Sequence, residues 1–159
     1  MIHLGTLRLG PGREVIPFQP SHIYSIELKP FELEYVNTIP DFYNYAIEQA
    51  YPNLSWTGIG HGQIQLIWGV RPIFPKTAEV WMLPGKNIDR YAVSLLRCAR
   101  QMLKQVIKEY GFERLHITVR QQNVTAYKFA KALYFEDEGL LRKYGPEGAD
   151  YIIMSRIVE

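Results

Sequence analysis

The chain has 159 residues, 18 basic against 16 acidic side chains, 47% hydrophobic residues and one cysteine. That is one globular domain's worth of chain, long enough for a single core. A net charge of +2 with no long basic run argues against a nucleic-acid or anionic-membrane partner, and Cys98 alone makes no internal disulfide, which suits a reducing, cytoplasmic setting. Met1-Ile2-His3-Leu4-Gly5 lacks a basic head and an apolar run, so no signal peptide is expected. No window reaches about 18 uninterrupted apolar residues, so no membrane span is expected either.

Residues 1–20 carry Gly5, Gly10, Pro11, Gly12, Pro17 and Pro20 and read as an N-terminal arm, with at most a short strand at Ile2–Leu9 and a possible role in self-association. Residues 21–159 form the domain. Ser21–Leu28 reads as a first strand. Asp41 is placed to cap a helix over Phe42–Ala50. Gly58, Gly60 and Gly62 read as a tight turn rather than a phosphate cradle, because they precede the alternating strand Gln63–Trp68 instead of opening a helix. Arg71–Lys76 reads as a proline-bounded connection into a strand at Ala78–Leu83 that pairs with Gln63–Trp68 as an antiparallel hairpin.

The next stretch organises the rest. Asp89 is set to cap a helix over about Arg90–Tyr110, whose Val93, Leu96, Met102, Leu103, Val106 and Ile107 recur at helical spacing and which Gly111 ends. Leu115–Arg120 alternates as a strand, and Asn123–Leu133 makes a further helix. Strand, crossover helix and strand give a right-handed unit with parallel neighbours. In open sheets of this kind ligands lie beyond the carboxyl ends of the strands, here near Leu83-Pro84 and Arg120-Gln121. Asp137–Tyr144 and Ala149–Val158 close the chain as a hairpin around Gly145-Pro146-Glu147-Gly148.

This order over Ser21–Val158 resembles the GNAT superfamily of acyl-coenzyme A-dependent N-acetyltransferases. The likeness is carried by Trp68-Gly69-Val70-Arg71-Pro72-Ile73 leading into Ala78–Leu83, by Asn123-Val124-Thr125-Ala126 with Leu133-Tyr134-Phe135, and by Glu138–Arg142 with Asp150–Arg156. The resemblance implies an α/β (α+β) fold: a mixed sheet of about 6–7 strands flanked by about four helices. It implies acetyl transfer from acetyl-CoA to an amine of a small molecule, a protein N-terminus or a lysine. Met82, Leu83, Lys86, Asn87, Arg90 and Asn123 then fall at coenzyme-binding positions. Two places depart from the family pattern. Asn87, Ile88, Asp89, Arg90, Tyr91 and Ala92 stand where a glycine-rich phosphate loop belongs, with Lys86 and Arg90 as substitute cations. Ala130 stands where the family has a tyrosine acid, leaving Tyr127 and Tyr134 one turn to either side.

Glu79 is the candidate base that takes a proton from the amine. His61 and His116 are the other titratable candidates, with packing or exposure as the simpler account. His3, His22, His61 and His116 show no metal-ligand spacing, so no metal is expected. The departures keep a second reading open: a GNAT-shaped binding or structural protein of the kind phages and prophages carry, virion-associated and without use of coenzyme A. A nucleic-acid-binding helix through Arg97, Arg100, Lys104 and Lys108 is better explained as a solvated helix face.

Overall fold

The structure is a computed structural model that describes residues 7–159. In chain order its elements are β1 (Leu7–Gly10), β2 (Arg13–Pro17), α1 (His22–Ser25), α2 (Pro30–Thr38), α3 (Phe42–Gln49), β3 (Ser55–Gly60), β4 (Gln63–Phe74) and β5 (Thr77–Pro84). A short 3₁₀ turn (Ile88–Arg90) then leads into α4 (Ala92–Tyr110), β6 (Arg114–Arg120), α5 (Val124–Ala132), β7 (Glu136–Leu141) and β8 (Tyr151–Ile157). The strands form one mixed sheet of eight in the order β1-β2-β3-β4-β5-β6-β8-β7. Among the described residues β5 and β6 alone run parallel, joined by α4 as the crossover.

Helices cover both faces of the sheet. Even-numbered Ala78 and Val80 of β5 and odd-numbered Leu115, Ile117 and Val119 of β6 point to one face, where Leu95, Cys98, Ala99, Met102, Leu103 and Val106 of α4 meet Ala130 and Leu133 of α5 in the main core. Spaced by three and four residues, the α4 side chains lie on one stripe of the helix, which turns them all toward the sheet. Gly111 ends α4 at φ +70°, a left-handed cap that glycine takes without strain. The opposite face carries the smaller cluster of Ile26, Ile67 and Leu83, packed with Val36 of α2 and Phe42 of α3.

Several expectations are corrected. Ser21–Leu28 contains a turn of helix, α1, and its strand-like pairing is a single antiparallel bridge from Leu28 to Gly85. The supposed turn through Gly58 and Gly60 belongs to β3, which is tightly packed: a Cβ at Gly60 would sit 2.5 Å from the Tyr91 ring. Arg71–Phe74 continues β4. α2 was not expected, and residues 7–17 of the arm supply β1 and β2, the latter laddered to β3 over its whole length. Those two strands and β3 account for the strand count above 6–7; the expected strand over Ile2–Leu9 otherwise lies outside the described residues. Asp89 does not cap α4, whose N-cap position is Tyr91, and Val93 is 66% exposed rather than on the apolar stripe.

Candidate active site

The two parallel strands do not stay together. Their ladder covers Thr77↔Arg114, Ala78↔Leu115 and Glu79↔His116 and then ends. Beyond that point β5 remains bonded to β4 as far as Leu66↔Pro84, and β6 to β8 as far as Arg120↔Tyr151. Each strand is therefore held on its outer side while its inner edge faces a widening gap. A cavity of about 370 Å³ fills the gap, within the size range of small-molecule sites. It is lined from both faces of the sheet: Ala92 of α4 with Ala126 and Phe129 of α5 on one, and Glu32 and Tyr35 of α2 with Phe42 and Tyr45 of α3 on the other. Tyr144 and Tyr151 of the closing hairpin add a further wall.

At the vertex, β-sheet register places Arg71, Glu79 and His116 side by side across three strands. Arg71 Nη2 donates to Glu79 Oε1 at 3.2 Å, and His116 Nε2 lies 3.7 Å from Glu79 Oε2. His116 and Arg71 together hold the Glu79 carboxyl below its usual range against the opposing effect of burial, with His116 the larger influence. His116 Nδ1 is buried and makes no hydrogen bond.

The far end is organised by Asn123. Its Oδ1 accepts from the Ala126 N–H at 3.2 Å, capping α5 as the Asn-x-x-Ala pattern anticipates, while its Nδ2 donates to Glu32 Oε1 at 3.1 Å. Glu32 Oε2 is buried with no partner. Burial raises the Glu32 carboxyl above its usual range despite the opposing effects of its own backbone N–H, Lys29, Asn123 and Arg120. Arg120 is held by Glu34 at 2.8 Å and lies 4.7 Å over the Phe31 ring, which fastens α2 to the end of β6. Burial also pushes up the phenols of Tyr35 and Tyr151.

The structure brings together part of what the sequence singled out. Glu79, Met82, Leu83 and Asn123 line the cavity. Lys86, Asn87 and Arg90 lie beyond its mouth: Lys86 pairs with Glu27 and its N–H donates to the Glu27 carbonyl, while Asp89 pairs with Lys29 at 3.1 Å. Tyr127 donates to Asp137 at 2.8 Å, and Tyr134 sits between the Arg100 and Arg156 guanidiniums, so neither lines the cavity. Glu32, Tyr35 and Tyr151 escaped the sequence reading. Pro30 followed by Glu32 is a helix-start signal, proline in the first turn with an acid two positions on, that could have located α2. Among the described residues no group of three or more His, Cys, Asp or Glu side chains is arranged to hold a metal.

No protein-family model and no curated protein matches the chain by sequence. Solved structures do match. Ard1 from Thermoplasma volcanium superposes with a TM-score of 0.72 at 15% identity, covering 93% of this chain and 99% of that one. A GNAT-family acetyltransferase from Bacillus anthracis gives 0.67 at 15% identity over 96% and 98% of the two chains. The Microcin C7 self-immunity acetyltransferase MccE, solved with acetyl-CoA and AMP, gives 0.67 at 14% identity over 94% of each. At such identities the likeness shows the fold, and the chain has the GNAT acetyltransferase fold.

Proposed function

We propose that the chain transfers an acetyl group from acetyl-CoA to an amine. The observation that carries this is the parting of β5 and β6, which leaves two inner strand edges facing one slot. An extended, amide-bearing ligand adds to such an edge as a further strand, with backbone supplying affinity and little demand on sequence. The pantetheine arm of coenzyme A has that character. A structural neighbour was solved with acetyl-CoA bound.

In this reading the arm lies along Val80–Pro84, with Met82 and Leu83 beside it. The donor enters from the α4 and α5 side and the acceptor amine from the α2 and α3 side, so the two meet through the sheet. The start of α4 lacks a side-chain cap, so its first N–H groups offer a place for phosphate, and Lys86, Asn87 and Arg90 flank it. A carboxylate of the slot then removes the amine's proton, and Glu79 and Glu32 both line it. The reading is cytoplasmic, in keeping with a single, buried, unpaired cysteine; no helix among the described residues is long and apolar enough to cross a membrane.

A second reading has its own observation. Glu27–Lys29 lies against the loop through the Lys86–Glu27 and Lys29–Asp89 pairs and the Leu28–Gly85 bridge, so carboxylates already occupy cations that diphosphate would need. That favours a binding or structural protein that keeps the fold without the coenzyme. Release of free thiol from acetyl-CoA, followed with a panel of peptides and alkylamines, separates the two. Acceptor-dependent release supports the transferase, and none with any acceptor supports the second reading.

A further inference from the structure

We infer that Glu32, on α2, is the carboxylate that accepts the proton of the attacking amine. This rests on the transferase reading and assigns the base within it.

Three carboxylates line the slot: Glu32, Glu79 and Asp89. Asp89 is paired with Lys29 and its side chain is 68% exposed, at the mouth. Glu79 has one oxygen on Arg71 and the other toward His116. An anion fixed between a guanidinium and an imidazole gains little by taking a proton. Glu32 differs in both respects. Asn123 orients the carboxylate through Oε1, and Oε2 is left without a donor in a buried position. A buried carboxylate oxygen lacking a donor is costly, and an incoming ammonium N–H supplies what it lacks. Burial raises this carboxyl, bringing it nearer to a working base. The charged and titratable groups around it are Lys29 ahead of α2, Arg120 at the end of β6 with its partner Glu34, and Tyr151 of β8.

The step balances. The ammonium gives one proton to Glu32, and the neutral nitrogen's lone pair forms the C–N bond to the thioester carbon. The C–S bond breaks with its electron pair on sulfur, the second nitrogen proton ends on that sulfur, and the proton on Glu32 returns to water. Asn123 is the positioning residue. It ties the carboxylate to the start of α5, the helix that lines the donor side of the slot.

The test uses the full chain, acetyl-CoA and a set of tetrapeptides with free amino termini. Glu32→Gln is expected to lower kcat/KM for the best tetrapeptide by about 10²-fold or more and to flatten the acidic limb of the pH–rate profile, with acetyl-CoA affinity by calorimetry unchanged. Glu32→Asp keeps the limb at reduced rate, and Glu79→Gln keeps the limb. The inference is overturned if Glu32→Gln turns over within threefold of wild type with its limb intact, or if Glu79→Gln is the variant that loses the limb. Wild-type protein that binds acetyl-CoA and acetylates tetrapeptides while Glu32→Gln is indifferent sinks this assignment alone. Wild-type protein that does neither sinks the transferase reading and the assignment with it.

Discussion

Replacing Asn123 by alanine removes two interactions at once, and their magnitudes are separable. The cap on Ala126 N is worth about 1 kcal/mol. Loss of the Nδ2 donor strips a mostly buried carboxylate of its side-chain hydrogen bond, which costs about 1–3 kcal/mol. Together they predict a destabilisation of about 2–4 kcal/mol, and for a chain of this size each kcal/mol lowers Tm by roughly 2–4 °C. The centre of that range is a fall of roughly 9 °C, measured by calorimetry at neutral pH. Asn123→Ser keeps the cap and isolates the second contribution. Made in a Glu32→Gln background, Asn123→Ala should cost less, because the orphaned carboxylate is gone. Glu32→Gln alone should stabilise at neutral pH. A raised carboxyl binds its proton more tightly folded than unfolded, so stability falls as pH climbs from the unfolded value through the folded one, and the amide escapes that loss. Asn123→Ala with a Tm within about 1 °C of wild type would refute the account of this corner.

Other expectations follow from single features. A Cβ at Gly69 would meet Trp81 Nε1 at 2.8 Å and the Leu54 carbonyl at 2.9 Å, so Gly69→Ala should cost about 1–3 kcal/mol of overpacking in urea denaturation, and a neutral result would mean that Trp81 moves freely. The Arg114 guanidinium and the Ser155 hydroxyl hold Glu138 down to about 2 from an ordinary 4.5. Its contribution is present above about pH 4.5 and is lost as pH falls toward 2. Arg114→Met should therefore flatten the acid side of the stability profile, and an unchanged profile would discount the pair. Cys98 is buried and its thiol is pushed up to about 11, so iodoacetamide should label it only on unfolding; rapid native labelling would contradict its placement.

Local signals made the centre of the fold legible. Gly111 ended α4 and Asn123 began α5 where expected, and alternation in Leu115–Arg120 gave β6 its two faces. The parallel pair and closing hairpin followed from element order. The first third was harder. Gly58 and Gly60 imitate a turn, yet Leu95 and Tyr91 press on the positions where their side chains would be. α2 shows no fully buried side chain, because its inner face borders the cavity and only Val36 reaches the smaller core cluster, so it leaves little apolar periodicity to read. Glu32 was invisible for the same reason. What makes it distinctive is Asn123, 91 residues away, and no local pattern reports such a pair. Conversely, helical spacing points to Tyr127 and Tyr134 but says nothing of Asp137, Arg100 or Arg156 holding them elsewhere.

Calorimetric titration of the full chain with acetyl-CoA tests the slot most directly. The account predicts one site with a micromolar Kd, and at a hundredfold excess over Kd a stabilisation of about 2.7 kcal/mol. No heat and no shift in Tm at millimolar acetyl-CoA would contradict it.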